Sequence, residues 1–372
     1  MNGAAHRLVQ VPPGVQCFVG AEARRRRRIE EVVVSVFEGW DYEEIIPPLF
    51  DYADVFATPG LAARTYSFVG RDGSLLALRP DFTSLLAKIA AGRLADRPAP
   101  IRLYYSGEVL RYEPPKAGRQ SELFQMGLEH LGGPRAAADA EILAVAGECL
   151  EKLGVEGWVL ALGHVGAFHG LVGSLRLPEL AADLVGERVE AKDPDGVRAL
   201  LDAHQVQGPE ADALVRLSAL AGDRAALEEA EHALACCPEA ARAVGELREV
   251  TDALERAGLG AHVAVDLGEV RGLDYYTGLV FRVYAPGLGF EMGGGGRYDT
   301  LLARFGRPMP AVGFMLGLDR VALLLERRQA APSSSVDGAE TVGGAVLGEA
   351  LAEARRRRAA GARVRFGAGE ER

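Results

Sequence analysis

The stretch that most constrains the fold of this 372-residue chain is residues 266–299. It joins two adjacent tyrosines to an alternating apolar run and then to four consecutive glycines followed by Arg-Tyr-Asp. The alternation predicts a strand with Tyr276, Gly278 and Val280 on one face and Thr277, Leu279 and Phe281 on the other. Glycines beside such a strand let a ligand or another backbone approach the sheet closely. The stretch therefore predicts a small-molecule pocket. A plain hairpin with glycine turns explains the glycines but not Arg271, Tyr275 and Tyr276 in one block.

Composition excludes several classes of protein. The chain is 48% apolar and 25% charged, with a net charge of −10 and a pI near 5.4, which is typical of a soluble globular protein without a large basic nucleic-acid footprint. Its apolar runs are shorter than a membrane span, and no secretory signal is recognisable. The cysteines have neither metal-ligand nor disulfide-framework spacing (Cys17, Cys149, Cys236 and Cys237). We therefore expect a cytoplasmic protein with no metal and no cofactor.

The first third of the chain predicts a helix and a hairpin. Residues 24–39 have the spacing of an amphipathic helix that opens with five arginines, which we interpret as a solvated helix end rather than an RNA contact. A hairpin signal with Asp72-Gly73 at its turn ends shortly before Asp81 and Thr83. These two side chains either cap the helix that follows or point into a pocket.

Residues 104–130 predict a pair of strands joined by a basic loop. The first strand ends near Arg111, and the loop contains Arg119. In the returning strand Gln125, Gly127 and Glu129 share one face, while Phe124, Met126 and Leu128 share the other. A glutamine and a glutamate on one face make either an exposed surface or a polar pocket, and the loop arginine favours a ligand.

The remaining chain predicts helices and one more strand. Residues 173–260 read as short helices rich in Ala, Leu and Glu. Later, a strand containing Gly313 and Gly317 precedes a helix that begins near Leu318. This arrangement places Arg320 at a helix start beside the sheet, where in isolation a local acidic partner would be its expected contact. Residues 327–372 read as a linker followed by a weak strand, helix and strand.

Several blocks resemble the class II histidyl-tRNA synthetases and, equally, their shortened relatives, the regulatory subunits of ATP phosphoribosyltransferase. RGLDYYTG and GGGGRYD resemble the histidine-specific block. DYEEIIPPLFDYADVF, the strands of residues 104–130, and MPAVGFMLGLDRVALLLE resemble class II motifs 1, 2 and 3. The resemblance covers roughly residues 12–326. It implies an α+β fold with a mostly antiparallel β-sheet flanked by helices. It also implies a synthetase-like domain over residues 1–326, with a helical insertion at about 173–260, and a truncated tail over 327–372.

The resemblance also implies roles for individual residues. Those that would bind histidine are Asp81, Thr83 and Gln125 at its α-amino group, Glu129 and Tyr276 at its imidazole, Arg271 at its carboxylate, and Tyr275 and Tyr298 in the floor. Those that would stand at ATP-like phosphates are Arg111, Arg119 and Arg320. The chain departs from the synthetases at Asp81, where they use Glu. It departs again near the adenine, at Ser121 and Leu123.

Two features favour a non-catalytic regulatory subunit. One is this set of departures, and the other is the short segment after Glu326, where a synthetase has its anticodon-binding domain. Such a subunit would assemble with a short-form catalytic subunit, as a hetero-octamer, in the first step of histidine biosynthesis. Histidine would be its effector, motif 1 would form a homodimer, and no tRNA would bind. The alternatives are an active histidyl-tRNA synthetase-like histidine:ATP ligase and a scaffold that ignores histidine.

Overall fold

The structure, a computed structural model, describes residues 9–112, 120–270, 275–328, 340–342 and 347–366. The chain divides into two units, Met1–Leu325 and Glu326–Arg372. The predicted residues Arg119 and Arg271 lie outside the described residues.

The strands, numbered in chain order over the described residues, are β1 (Glu43–Glu44), β2 (Phe50–Tyr52), β3 (Ser67–Val69), β4 (Leu75–Leu78), β5 (Ile101–Leu110), β6 (Glu122–Leu131), β7 (Val159–His164), β8 (Ala221–Gly222), β9 (Val263–Asp266), β10 (Leu279–Tyr284), β11 (Gly293–Arg297), β12 (Ala311–Gly317), β13 (Glu340–Val342) and β14 (Val364–Phe366). The helices are α1 (Gly20–Gly39), α2 (Pro59–Ala62), α3 (Thr83–Ala91), α4 (Arg135–Lys152), α5 (Val165–Leu175), α6 (Glu179–Glu190), α7 (Pro194–Ala203), α8 (Pro209–Leu217), α9 (Arg224–Ala233), α10 (Pro238–Arg256), α11 (Leu318–Arg328) and α12 (Leu347–Ala359).

The first unit is built on one large sheet. Within the described residues nine strands join it, in the order β1-β5-β6-β12-β11-β10-β7-β9-β8. Neighbours are antiparallel except for the parallel pairs β1–β5 and β7–β9. The prediction of a mostly antiparallel sheet flanked by helices is therefore confirmed.

One face of this sheet, which we call the helix-covered face, carries Met126, Leu128 and Phe314 in its core. Helix α1 packs on it because its apolar residues recur at helical spacing, with Ile29, Val33, Val36 and Phe37 all buried. The opposite face, which we call the cavity face, carries Gln125, Gly127 and Glu129. Because residues alternate along a strand, β6 presents its apolar set to the helices and its polar set to the cavity face. Its alternation is confirmed.

The arginine run in α1 is mostly exposed, as expected, with Arg24, Arg27 and Arg28 in solvent, but Arg26 is an exception and the helix begins earlier, at Gly20. Arg26 donates a hydrogen bond of 2.6 Å to Asp319, and its guanidinium stacks 3.8 Å from the centre of the Phe18 ring. Asp319 also accepts a hydrogen bond of 3.1 Å from the backbone N–H of Phe124. Arg26 therefore ties α1 to the start of α11, whereas Arg27 stays exposed and pairs with Glu30 within the helix.

The region from residue 173 to 260, where short helices were predicted, contains α6 to α10. Their apolar faces join the core of the helix-covered face, including Val189, Leu214 and Leu247. Of the cysteine pair in this region, Cys237 is buried and Cys236 is partly buried.

A small sheet of β2, β4 and β3 contains the predicted hairpin. Gly73 at its turn has a φ of 87°, which suits glycine. Large apolar side chains remain exposed on and beside this sheet, including Ile46, Phe50, Phe68 and Val69.

The second unit contains the strand–helix–strand order that the sequence predicted. Strands β13 and β14 pair in parallel, as a crossover through α12 requires. Among the helices of the described segments, none is both long enough and apolar enough to cross a bilayer.

Candidate functional site

A cavity of about 390 Å³ opens on the cavity face of the large sheet. Strands β5, β6, β12, β11 and β10 supply its floor, and the start of α3 supplies part of its wall. The prediction that the glycine-rich strand borders a pocket agrees with this geometry. The strand itself differs from the prediction in one respect. Because β10 begins at Leu279, Tyr276 and Gly278 lie before the strand and do not alternate within it.

Glycines make the floor low enough for side chains to lie across it. Along one row of the sheet, Glu129 pairs in register with Gly313, and Gly313 with Gly296. A Cβ atom on Gly313 would stand 1.7 Å from Oε2 of Glu129, and one on Gly296 would stand 3.0 Å from the Tyr276 ring. The two glycines therefore provide the space that the glutamate and the tyrosine occupy.

Glu129 is the central polar group of the cavity. Its side chain is 1% exposed, and its carboxyl accepts hydrogen bonds from the Thr83 hydroxyl, at 2.7 Å, and from the Tyr298 hydroxyl. Burial raises the pKa of Glu129 to about 8, although both hydrogen bonds act in the opposite direction. At neutral pH the carboxyl group is therefore largely protonated, and a cation placed beside it would favour its ionised form.

Three tyrosines surround this carboxyl group. The rings of Tyr275 and Tyr276 meet edge to face at 5.1 Å, and those of Tyr275 and Tyr298 at 5.8 Å. Tyr105 was not predicted as a site residue, yet it also lines the cavity and stacks on Phe82 at 4.1 Å. Its position could have been found from the alternation along β5, which places it opposite Gly127. The pocket is therefore lined by aromatic rings, with hydroxyl groups at its edge.

Asp81 combines the two roles left open by the sequence. Its carboxyl accepts hydrogen bonds of 3.3 Å from the Ser84 backbone N–H and 3.1 Å from the Ser84 hydroxyl, so it caps α3. It also lines the cavity at 3% exposure. Burial raises the pKa of Asp81, and the nearby Arg111 charge opposes that shift.

Gln125 is buried at 3% exposure and lies on the same face as Glu129, four residues earlier in β6. Because both side chains are buried, the alternative of an exposed face for Gln125 and Glu129 is excluded.

At about 3.3 Å per residue, the spacing between Gln125 and Glu129 is roughly 13 Å along the strand. The cavity has two distinct regions, which we call the glutamate end, at Glu129, and the arginine end, at Arg320.

The predicted phosphate residues are placed unequally. Arg111 lines the cavity and donates a hydrogen bond of 2.7 Å to the backbone carbonyl of Pro80. Arg320 stands at the start of α11, as predicted, and also lines the cavity. Its guanidinium donates to Glu291, so the expected acidic contact exists, although its partner is 29 positions away in the sequence. Among the described residues, no group of three His, Cys, Asp or Glu side chains is arranged to hold a metal ion.

Three charged residues at the arginine end were missed in the sequence. Arg282 donates to Glu269 at 2.5 Å, and its other terminal nitrogen lies 3.8 Å from Glu291. Alternation along β10 could have found Arg282, because it lies on the same face as Val280. Nothing local indicates Glu291, whose contact with Arg320 spans 29 positions.

Comparison with known proteins places this geometry in a family. The sequence profile described as Histidyl-tRNA synthetase matches residues 14–321. A protein of Moorella thermoacetica described as an ATP phosphoribosyltransferase regulatory subunit is 40% identical over 366 residues, covering 97% of this chain and 92% of the relative. A protein of Desulforamulus reducens with the same description is 40% identical over 331 residues, covering 89% of this chain and 82% of the relative.

Solved structures agree. A crystal structure described as an ATP phosphoribosyltransferase regulatory subunit/histidyl-tRNA synthetase, from Bacillus halodurans, superposes with a TM-score of 0.85 at 28% identity, over 98% of this chain and 94% of that one. A histidyl-tRNA synthetase from Nostoc superposes at 0.80 over 98% of this chain and 86% of that one; at 22% identity it supports the fold alone. The chain belongs to the family of ATP phosphoribosyltransferase regulatory subunits, which share the fold of histidyl-tRNA synthetase.

Proposed function

We propose that this chain is a non-catalytic regulatory subunit of ATP phosphoribosyltransferase that binds free histidine in the cavity. It works with a short-form catalytic subunit in the first step of histidine biosynthesis and makes that step sensitive to inhibition by histidine. The names of the relatives support the subunit assignment. The observation that carries the histidine assignment is the buried Glu129 carboxyl, which lies among tyrosine rings and, within the described residues, accepts its hydrogen bonds from the hydroxyl groups of Thr83 and Tyr298.

Glu129 suits an imidazole for a chemical reason. An imidazole offers N–H donors, and a protonated imidazole offers two, so a carboxylate is its strongest neutralising partner. In our proposal Glu129 and Tyr276 face the imidazole, and the edges of Tyr275 and Tyr298 form the floor beneath it. The hydroxyl of Thr83 keeps the Glu129 carboxyl oriented.

The remaining groups of histidine are assigned to other residues of the cavity. Asp81, Thr83 and Gln125 meet the α-amino group, since a carboxylate and two neutral oxygens together satisfy an ammonium. Arg271 meets the carboxylate; it lies outside the described residues, four positions before Tyr275, which lines the cavity. Arg111, Arg119 and Arg320 stand where the related synthetases hold phosphates.

Regulation requires that histidine bind one conformation of the assembled complex better than another. The coupling free energy of such systems is typically about 1–3 kcal/mol. Histidine then shifts the complex toward an inhibited state without any chemistry in this chain. We assign the working complex to the cytoplasm as a hetero-octamer, with no tRNA bound.

The small sheet and its surroundings suit a homodimer. Ile46, Leu49, Phe50 and Tyr52 all lie in the segment resembling motif 1, and they are 86%, 48%, 48% and 56% exposed. An exposed apolar face of this kind favours burial against another surface, and we assign it to a second copy of this chain. Light scattering of the protein with Ile46→Glu should then report a monomer where the wild type reports a dimer.

The direct test is to co-purify the chain with a short-form catalytic subunit and to titrate histidine while measuring phosphoribosyl transfer to ATP. We expect stable co-purification and activity that falls as histidine rises. Failure to co-purify would refute the subunit assignment. If histidine inhibited the catalytic subunit alone to the same extent, the proposal that this chain senses histidine would be refuted.

The second candidate, a histidine:ATP ligase, is kept by Arg111 and Arg320, which line the same cavity as Glu129. Histidine-dependent exchange of pyrophosphate into ATP would establish it. The third, a scaffold, requires that calorimetry find no histidine binding to the chain alone or to the complex.

A further inference from the structure

The arginine end of the cavity is occupied by the side chains of the protein itself. Glu291 lies in the hairpin between β10 and β11, directly before Met292 and the glycine strand. One terminal nitrogen of Arg320 donates hydrogen bonds of 2.7 Å to the Glu291 carboxylate and 2.7 Å to the Glu291 backbone carbonyl. The same guanidinium lies 5.6 Å from the centre of the Phe290 ring. The hairpin thus holds Arg320 by three kinds of contact.

A second arginine reinforces the position of Glu291. Arg282 lies 3.8 Å from the Glu291 carboxylate while it binds Glu269 at 2.5 Å. Glu269, Arg282, Glu291 and Arg320 therefore alternate in charge as one chain of contacts. Burial alone would raise the pKa of Glu291, but the hydrogen bond and charge of Arg320 outweigh it and lower that pKa below its usual value. Glu291 is thus a carboxylate at neutral pH.

The Glu291 carboxylate accepts from one terminal nitrogen of Arg320 and so stands where one phosphate oxygen would bind, because both anions accept hydrogen bonds from guanidinium N–H groups. A triphosphate at Arg320 would have to displace Glu291 or lie against it, with like charges in contact. Glu269, which is bound to Arg282, lines the same cavity and adds a second carboxylate beside this pair of arginines. An anionic ligand would meet both carboxylates as well as the two arginines.

We infer that Glu291 is the specificity-determining residue that excludes nucleoside triphosphates from this cavity, by keeping Arg320 engaged within the protein. The cavity then accepts a free amino acid at its glutamate end and no nucleotide beside it, so an aminoacyl adenylate cannot be assembled. The inference rests on the proposed function in taking the glutamate end as the amino-acid site.

The test is calorimetric titration of the full chain with ATP, with and without Mg²⁺, in the wild type, Glu291→Ala and Glu291→Gln. We expect no measurable ATP binding by the wild type at millimolar ligand. We expect Glu291→Ala to bind at least tenfold more tightly, equivalent to about 1.4 kcal/mol. Glu291→Gln keeps the shape of the side chain and removes its charge, so it should gain binding even if the alanine variant folds poorly.

Two further variants identify the cause. Glu269→Gln removes the same charge from the same end of the cavity but leaves the Arg320–Glu291 pair in place. Its gain in ATP affinity over the wild type should therefore be under threefold. Adding Arg320→Ala to Glu291→Ala should abolish the gain, because the freed guanidinium is then absent.

Wild-type binding of ATP as tight as that of the Glu291 variants would overturn the inference, as would an equal gain in Glu269→Gln. Tight wild-type binding that needs Mg²⁺ would instead show that the carboxylates hold a metal-bound triphosphate, which also overturns it. Histidine titration of the wild type separates the two claims. Absent histidine binding refutes the proposed function, whereas nucleotide binding beside intact histidine binding refutes only the role of Glu291.

Discussion

Glu129 and Glu291 line the same cavity, yet Glu129 is buried between two hydroxyl groups whereas Glu291 is bound by an arginine. Burial raises the pKa of Glu129 to about 8, and the contact with Arg320 lowers that of Glu291 despite its burial. The difference indicates which of the two carboxyl groups is available to bind a ligand. The charge of Glu291 is already met inside the protein, whereas Glu129 can ionise favourably only when a cationic group enters beside it.

The largest expected effect is on the pH dependence of stability in the free protein. Glu129 has a pKa near 4.5 in the unfolded chain and about 8 in the folded one. The folded state therefore keeps this proton longer, and the stability that it contributes is present below pH 4.5 and is lost as pH rises to 8. At about 1.4 kcal/mol per pH unit, the loss amounts to roughly 3 to 5 kcal/mol.

Glutamine mimics the protonated carboxyl group, so Glu129→Gln should remove this slope and leave the acid-side stability nearly unchanged. Urea unfolding at pH 5, 6.5 and 8 measures the difference between the two proteins, in which the titration of other groups cancels. Parallel stability curves for wild type and variant would show that Glu129 ionises normally in the free protein.

The next effect is on histidine affinity. Glu129→Gln should weaken histidine binding about 10- to 100-fold, since a hydrogen bond to a charged group contributes about 1.5–3 kcal/mol. Inhibition of the assembled phosphoribosyltransferase should weaken in parallel. Glu249→Gln is the matched control, because Glu249 is exposed on α10. Unchanged inhibition in Glu129→Gln would place the histidine sensor elsewhere.

Histidine affinity should also depend on pH in a bell shape. Between the pKa of a free imidazole, near 6.5, and that of Glu129, near 8, the free partners hold one proton between them, which is what an imidazolium–carboxylate pair needs. Outside this window binding must release or take up a proton, so affinity should fall by up to about tenfold per pH unit. Calorimetry across pH 5.5–9.5 measures it. In Glu129→Gln the alkaline decline should be shallower, because only the loss of the α-ammonium charge of histidine remains.

The smallest effect concerns the hydroxyl group that orients Glu129. Thr83→Val keeps the shape of the side chain and removes a hydrogen bond of 2.7 Å, so histidine affinity should fall about fivefold, or about 1 kcal/mol. Thr251→Val serves as the control, because that buried hydroxyl binds the Leu247 carbonyl within α10. Equal losses in both variants would mean that Thr83 acts only through the stability of the fold.

Local periodicity explains what could be predicted. The two-residue repeat of a strand fixed the faces of Gln125 and Glu129, and the glycine before Leu318 fixed the end of β12 and the start of α11. Alternation failed at Tyr276, because it does not reveal where a strand begins. The resemblance to a known family, not the periodicity, suggested which polar residues would share a cavity.

Contacts between distant segments account for the rest. Arg297 is fully buried and binds Asp139, 158 positions away, at 2.7 Å. Arg26 reaches Asp319 across 293 positions. Such pairs depend on how helices and hairpins stack in three dimensions, which neither spacing nor charge patterning encodes.

Gly313 offers a lever on the cavity that no charge substitution provides. A Cβ there would stand 1.7 Å from Oε2 of Glu129 and 2.7 Å from the backbone carbonyl oxygen of Leu128, so even alanine would displace the acidic side chain and press on strand β6. One methyl group on an adjoining strand would therefore disrupt the amino-acid response with no change to a titrating residue, at a cost in the packing of the sheet.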